Sequence, residues 1–137
     1  MKHAPIQQGN ERVFIGGRGI GKTQWLAEKV VAYMRDNPGA EVLWINPLAV
    51  NGLTSLKRVV SILKDDEVDL TYYGPVLYMY NGSCIRFIGE KNVGHGKMVD
   101  LVVFDNADLM DEDTLYSCIP TAKTYLAAAT KPIINTP

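Results

Sequence analysis

The sequence predicts an α/β fold with a mainly parallel sheet, and its apolar runs and one glycine-rich loop are the observations that indicate it. Val13–Ile15 is a short apolar run typical of a strand, and after the loop the apolar residues of Thr23–Tyr33 recur with helical spacing. Glu41–Asn46 and Leu101–Asp105 are nearly continuous apolar runs, as expected for strands that are covered on both faces. We therefore expect one α/β unit.

Length and composition indicate a single globular domain. The chain has 137 residues, of which 47% are hydrophobic and 21% charged, which suits one core rather than a disordered chain. No apolar stretch approaches the ~20 residues of a membrane span, and Met1–Asn10 lacks the apolar core of a signal peptide.

Cys84 and Cys118 stand outside any C-x-x-C motif and are expected to be buried thiols in a reducing compartment. The net charge of −1 gives no global support for nucleic-acid binding, so a DNA contact would need a local patch.

The remaining elements follow from the same periodicities. The predicted elements are a helix at Asn51–Leu63 and strands at Val68–Tyr73 and Lys131–Asn135. Val76–Tyr80 and Ser83–Ile88 are predicted to form a hairpin, because Asn81-Gly82 between them is the preferred sequence of a type I′ turn.

The glycine-rich loop matches a phosphate-binding motif at every fixed position. Residues 16–23 fit G-x-x-x-x-G-K-[ST], and they lie between a predicted strand and a predicted helix, as that motif requires. Glycines let successive backbone N–H groups point at phosphate oxygens, and the helix N-terminus adds positive charge. In such loops the lysine, here Lys22, reaches the β- and γ-phosphates, and the Thr23 hydroxyl ligates Mg²⁺. The residues predicted to bind a nucleoside triphosphate are Gly16, Gly17, Arg18, Gly19, Ile20, Gly21, Lys22 and Thr23. The alternative is a glycine-rich turn that enters an ordinary helix.

A second candidate for the same site is the aspartate that ends a predicted buried strand. Asp105 follows four apolar residues, and in enzymes with this loop such a carboxylate completes the Mg²⁺ shell opposite the loop threonine, here Thr23. The alternative is structural, because aspartate also favours the turns in which many strands end.

Four segments together resemble the ATPase domain of the large terminase of tailed phages, the motor that packages DNA into capsids. They are the glycine-rich loop with arginine at its third position, the hairpin YMYNGSCIRFIG, the glycine-bearing loop before VDLVVFDNADLM, and the closing PIINTP. The resemblance extends from about Arg12 to Pro137. It implies that residues 1–137 form a single RecA-like (ASCE-type) P-loop NTPase domain, with helices on both faces of a mainly parallel sheet and an inserted β-hairpin.

The resemblance also implies roles for individual residues. Lys22 and Thr23 would bind phosphate and Mg²⁺, Asp105 would be the carboxylate on the Mg²⁺ side, and Arg18 would lie near the γ-phosphate. Thr136 would belong to the coupling motif that senses the γ-phosphate and transmits hydrolysis to DNA movement.

The same resemblance predicts where the last strand lies in the sheet. The strand before Thr136 would lie between the glycine-loop strand and the Asp105 strand, so Ile133–Asn135 is predicted to be central and parallel to both. The apolar Pro-Ile-Ile sequence favours such burial over an exposed edge.

The sequence departs from the family at two catalytic positions. The family places a glutamate directly after the strand aspartate to activate the attacking water, and this chain has Asn106. An amide can orient a water but cannot accept its proton. Asp108 is the alternative base, although it would equally suit a cap of the next helix. Where some members have an arginine finger, this chain has His95, which is mostly uncharged at neutral pH and is expected to be a surface loop residue.

The resemblance implies an ATP- and Mg²⁺-dependent motor that moves double-stranded DNA into capsids in the host cell cytoplasm. Its implied partners are a portal protein, a small terminase subunit and further copies of the chain in a ring. The isolated chain could be a monomer, and no association with a membrane is expected. The sequence stops at Pro137, so we expect neither lid nor nuclease domain. The alternatives are a packaging-motor subunit or remnant that binds nucleotide without hydrolysing it, and a helicase-type or small-molecule kinase P-loop protein.

Overall fold

One seven-stranded sheet organises the part of the chain that the computed structural model describes, residues 12–16, 21–70, 74–94 and 98–130. The strands are β1 Val13–Ile15, β2 Glu41–Asn46, β3 Val68–Asp69, β4 Val76–Met79, β5 Cys84–Gly89, β6 Val99–Asp105 and β7 Ala122–Ala129. The helices are α1 Lys22–Asp36, α2 Gly52–Ile62 and α3 Glu112–Cys118. Among the described residues, none of the helices is both long and apolar enough to cross a bilayer.

The sheet is mainly parallel, as predicted. Its strand order is β1-β7-β6-β2-β5-β4-β3, and the first five of these strands are parallel to one another. Strands β4 and β3 are antiparallel and extend the sheet at one edge. The carboxyl ends of the five parallel strands therefore lie along one edge, where α/β proteins bind ligands.

Helices cover both faces of the sheet because successive strand residues point to opposite sides. Trp44 and Val103 face the side on which α1 and α2 pack, whereas Ile45 and Phe104 face α3. All four side chains are fully buried. The burial of alternate residues on both faces explains why β2 and β6 have nearly continuous apolar sequences.

The predicted β-hairpin is present, but the prediction of its turn type is wrong. Strands β4 and β5 pair, and the N–H of Met79 donates to the carbonyl of Ser83 at 2.8 Å. The N–H of Gly82 donates to the carbonyl of Met79 at 3.1 Å, and Gly82 alone in the loop has a positive φ, of 93°. This is a three-residue loop ending in a left-handed glycine, whereas a type I′ turn needs a positive φ at Asn81 as well.

The prediction that Ile133–Asn135 lies between β1 and β6 is also wrong. That position is occupied by β7, which pairs in parallel with β1 and with β6. The predicted strand at Lys131–Asn135 lies outside the described residues, as does Thr71–Tyr73 from the predicted strand that begins at Val68.

The β5 end and the turn that precedes α2 approach each other closely at Gly89. A Cβ added at Gly89 would lie 2.6 Å from the backbone nitrogen of Ala49 and 2.9 Å from its Cα. Atoms of the chain cannot approach so closely, so only glycine fits. This contact fixes the connection from β2 to α2, the helix that carries Ser55.

We expect Gly89→Ala to destabilise the protein by about 1–3 kcal/mol, because the clash is with backbone and cannot be relieved by a side-chain rotation. Urea unfolding measured by circular dichroism would give the change. Gly94→Ala is the matched control, since an added Cβ there meets nothing within 4 Å. Equal midpoints for the two variants would contradict the packing argument.

Candidate nucleotide-binding site

The end of the glycine-rich loop and the start of α1 form the floor of the site. Gly21 has the left-handed conformation (φ 79°, ψ −14°) that glycine adopts without strain, and α1 begins directly after it at Lys22. Lys22 is only 6% exposed. The N–H of Gly16 donates to the carbonyl of Ala129 at 3.0 Å, which ties the start of the loop to the end of β7.

The structure brings Thr23 and Asp105 together, as the sequence predicts. The Thr23 hydroxyl donates to Oδ2 of Asp105 at 3.1 Å, although the two residues are 82 positions apart. Ser55 of α2 places its hydroxyl 3.3 Å from the same oxygen. Asp105 ends β6 with 2% of its surface exposed, and its Oδ1 atom is buried without a hydrogen-bond partner among the described residues.

Burial raises the pKa of Asp105 above its ordinary value, because a carboxylate away from water is costly to ionise. The hydroxyls of Thr23 and Ser55 and the positive charge of Lys22 lower the pKa in part. The Trp44 indole N–H acts in the same direction but lies outside hydrogen-bond geometry. The site therefore holds a carboxylate whose charge is incompletely compensated.

A further buried polar residue, Asn46, lies near the same Ser55 hydroxyl and was not predicted. Asn46 ends β2, the strand beside β6, and is 1% exposed. Its Oδ1 lies 3.4 Å from the Ser55 hydroxyl, which is also 3.3 Å from the carbonyl of Asn51. The available signal was a polar residue at the end of an apolar strand, the same signal that singled out Asp105.

Above this floor is a cavity of about 520 Å³, a size suited to a small-molecule ligand. It is lined by Gly21, Lys22, Thr23, Gln24, Thr54, Arg58, Asn106, Leu109 and Thr130. The lining thus combines the loop and α1 with α2 and with the segments that follow β6 and β7.

Asn106 and Asp108, the two predicted base positions, have different environments. Asn106 lines the cavity in a left-handed conformation (φ 61°, ψ 53°), which asparagine tolerates better than most residues. Asp108 accepts a hydrogen bond from the Thr130 hydroxyl at 2.8 Å and from the Thr130 N–H at 3.3 Å. Asp108 does not cap α3, which begins after Asp111.

Thr130 is another site residue that sequence reasoning missed. It directly follows β7, the strand that lies between β1 and β6. The sequence predicted Thr136 at the end of the strand in that place of the sheet. Several predicted residues lie outside the described part of the chain. They are Gly17, Arg18, Gly19, Ile20, His95 and Thr136.

The described residues fit the Mg²⁺ that the loop motif implies. Mg²⁺ in nucleotide sites is bound through one or two carboxylates together with hydroxyl, water and phosphate oxygens. Asp105 offers a buried oxygen without a partner among the described residues, and the Thr23 hydroxyl lies beside the other oxygen of the same carboxylate. This is the donor chemistry that the ion prefers.

The fold is similar to solved structures of phage packaging proteins, although no family model and no curated protein matches the sequence. The large terminase ATPase domain of Thermus phage P74-26 aligns with a TM-score of 0.71 and 19% identity, over 94% of this chain and 63% of that one. The large terminase of another thermophilic bacteriophage, in complex with ATP-gamma-S, aligns with a TM-score of 0.68 and 16% identity, over 85% and 32%. The bacteriophage Phi-29 viral genome packaging motor assembly aligns with a TM-score of 0.58 and 15% identity, over 90% and 44%.

This chain spans less than two thirds of the length of each of these proteins. At such identities the similarity establishes the fold, which is the RecA-like P-loop fold of terminase ATPase domains. The resemblance inferred from the sequence is confirmed at that level.

We expect Asp105→Asn to raise the unfolding temperature of the nucleotide-free protein at pH 7 while weakening its Mg²⁺-dependent nucleotide binding. Because burial raises the pKa of Asp105 in the folded protein, the protonated carboxyl stabilises the folded wild type fully at pH values below 3.8, the pKa in the unfolded chain. This stabilisation is lost as pH rises through the folded-state pKa. The amide avoids that loss, so its advantage should grow with pH and vanish near pH 3. Thermal melts across pH would test this, and an advantage independent of pH would contradict it.

Proposed function

We propose that this chain binds ATP with Mg²⁺ in the cavity above Lys22 and Asp105 and hydrolyses it. The observation that supports this most is the contact between the Thr23 hydroxyl and the Asp105 carboxylate beside the buried Lys22. A glycine-rich turn that merely enters a helix has no need of a buried carboxylate from a strand 82 positions away. One of the large terminases with the same fold was solved with ATP-gamma-S.

In this proposal each described residue has a defined part in the reaction. Lys22 binds phosphate oxygens with its charge, while Thr23 and Asp105 hold Mg²⁺, which when bound neutralises charge on the phosphates. A water attacks the γ-phosphorus as the bond to the bridging oxygen breaks, which gives ADP and inorganic phosphate. Asn106 lines the cavity and would orient that water. The proton of the water passes to solvent or to phosphate, because an amide cannot accept it.

We further propose that ATP hydrolysis here drives double-stranded DNA into a phage capsid. The fold shared with the large terminases and with the Phi-29 packaging motor supports this function. The chain would act as a single ATPase domain in the host cytoplasm, with a portal protein, a small terminase subunit and further copies in a ring as its partners. Nuclease activity would belong to a domain that residues 1–137 do not include.

Within the motor we assign the γ-phosphate-sensing role to Thr130 rather than to Thr136. Thr130 lines the cavity, and it follows the strand that lies between β1 and β6. Its hydroxyl and its N–H both bind Asp108, which follows β6. A displacement of Thr130 would thus affect both the segment that follows β7 and the segment that follows β6.

A second candidate function is a packaging-motor subunit that binds ATP without turning it over. Asn106 favours it, because the amide occupies the cavity wall where a base would act and general-base assistance contributes ~10²–10⁴ in rate. Steady-state ATP hydrolysis, measured with and without double-stranded DNA at several protein concentrations, separates the two functions.

We expect Lys22→Ala to abolish Mg²⁺-ATP binding with little change in fold, because no other described residue of the loop can supply its charge at this buried position. Titration with a fluorescent ATP analogue measures the binding, and circular dichroism checks the fold. Lys29→Ala is the matched control, since Lys29 is on the same helix but lies over the Trp25 ring, away from the cavity lining. Unchanged affinity in Lys22→Ala would refute the phosphate-loop assignment.

We expect Asn106→Glu to raise the hydrolysis rate by ~10-fold or more with little change in ATP affinity, because it supplies the missing base. Single-turnover hydrolysis measures this. Asn106→Asp is the matched variant: aspartate tolerates the left-handed conformation as well as asparagine does, but its carboxylate is one methylene shorter.

If wild-type hydrolysis is already fast and both acidic variants lower it, the base lies elsewhere. Asp108 would then be the next residue to replace, with Asp108→Asn preserving one of the two oxygens that accept hydrogen bonds from Thr130.

A further inference from the structure

One cation on the cavity wall has no role in the site as described so far. Arg58 of α2 lines the cavity together with Thr54, which lies one helical turn before it. Its Nη1 atom lies 3.3 Å from Oε1 of Gln24, the residue that follows Thr23. The Nε2 atom of Gln24 in turn donates to Glu28 at 2.9 Å. The guanidinium is therefore held beside the first turn of α1, where the phosphate-binding residues lie.

The backbone that carries Arg58 is fixed by burial. Ser55 and Val59 of the same helix are 2% and 0% exposed, and the Ser55 hydroxyl lies 3.3 Å from Oδ2 of Asp105. The Arg58 side chain itself is exposed. An exposed cation on an immobile helix can change partners without a change of fold.

The present partner of Arg58 is a weak one. A hydrogen bond of 3.3 Å to a neutral amide lies at the long end of the useful range. Among the residues that the structure describes, no carboxylate forms an ion pair with Arg58. A phosphate, by contrast, accepts two charge-assisted bonds from the planar guanidinium, and such bonds are roughly twice as strong as neutral ones.

We propose that Arg58 is a cis-acting phosphate-binding residue, which leaves Gln24 and binds the terminal phosphate of a nucleoside triphosphate in the cavity. The inference rests on the proposed function, since it assumes that the phosphates occupy the space above Lys22. Arg58 approaches that space from α2 and adds a positive charge to that of Lys22. ADP lacks the group that Arg58 binds, so Arg58 makes the site distinguish triphosphate from diphosphate.

The test compares ATP and ADP binding to Arg58→Ala, Arg58→Lys and Lys57→Ala. Lys57 is the matched control, because it is an exposed cation on the same helix but does not line the nucleotide cavity. Isothermal titration with a slowly hydrolysed ATP analogue and with ADP, each with Mg²⁺, gives the affinities. Thermal melts verify that each variant is folded.

We expect Arg58→Ala to weaken the ATP analogue by ~10-fold or more and ADP by no more than about 2-fold, with a smaller loss in Arg58→Lys, which keeps the charge but not the two-pronged donor. Lys57→Ala should leave both affinities unchanged. Hydrolysis by Arg58→Ala at saturating ATP should fall too, since charge develops on the γ-phosphate oxygens in the transition state.

Three results would overturn the proposal: equal losses for ATP and ADP, an equal effect of Lys57→Ala, or a loss of DNA binding with nucleotide affinities unchanged. The last would identify Arg58 as a DNA contact. Lys22→Ala separates this failure from that of the proposed function. If Lys22→Ala abolishes binding while Arg58→Ala retains the wild-type preference for ATP, only the role of Arg58 is refuted.

Discussion

The buried carboxylate of Asp105 is the constraint on which the rest of this site depends. Burial opposes its ionisation, and donors from two different helices offset that cost at one of its oxygens. Thr23 comes from α1 and Ser55 from α2, and both helices pack on the same face of the sheet. The electrostatics of the site therefore depend on the packing of the helices, because displacement of either helix would remove one of the two hydroxyl donors of the carboxylate.

The cluster around Asp105 is not optimised for stability. The Oδ1 atom of Asp105, the Asn46 amide nitrogen and the Trp44 indole nitrogen are all buried without hydrogen-bond partners among the described residues. A buried polar group without a partner costs about 1–3 kcal/mol. Residues that lower stability in this way are typical of functional sites, where a ligand supplies the missing partners. Mg²⁺ with its waters and phosphates would supply such partners to the Asp105 carboxylate.

The sequence predicted the parts of this fold whose signals are local. The loop motif has fixed spacing, and β2, α1, α2 and β6 have clear apolar periodicity, so Thr23 and Asp105 could be brought together before the structure was known. Strand β7 gave no such signal, because it ends in Leu126 and three alanines, and alanine is uncommon in strands. Burial at the sheet centre overrides that propensity, since Ala127, Ala128 and Ala129 are fully buried between β1 and β6. Contacts such as Ser55 with Asp105 join residues 50 positions apart, and no pattern in the sequence records them.

Rigid and adjustable parts of the site are separated by depth. Lys22 and Asp105 are buried, and the helix and the strand that carry them pack or pair along most of their length. Arg58 and Thr130 are exposed on the cavity wall, and among the described residues each contacts one polar side chain there, Gln24 or Asp108 respectively. A packed interior resists small displacements, whereas exposed polar contacts exchange partners at little cost. A change of bound nucleotide would therefore first change these contacts at the cavity rim. A displacement there would then affect β7, and with it β1 and β6, because both strands pair with β7 and have little freedom to move independently of it.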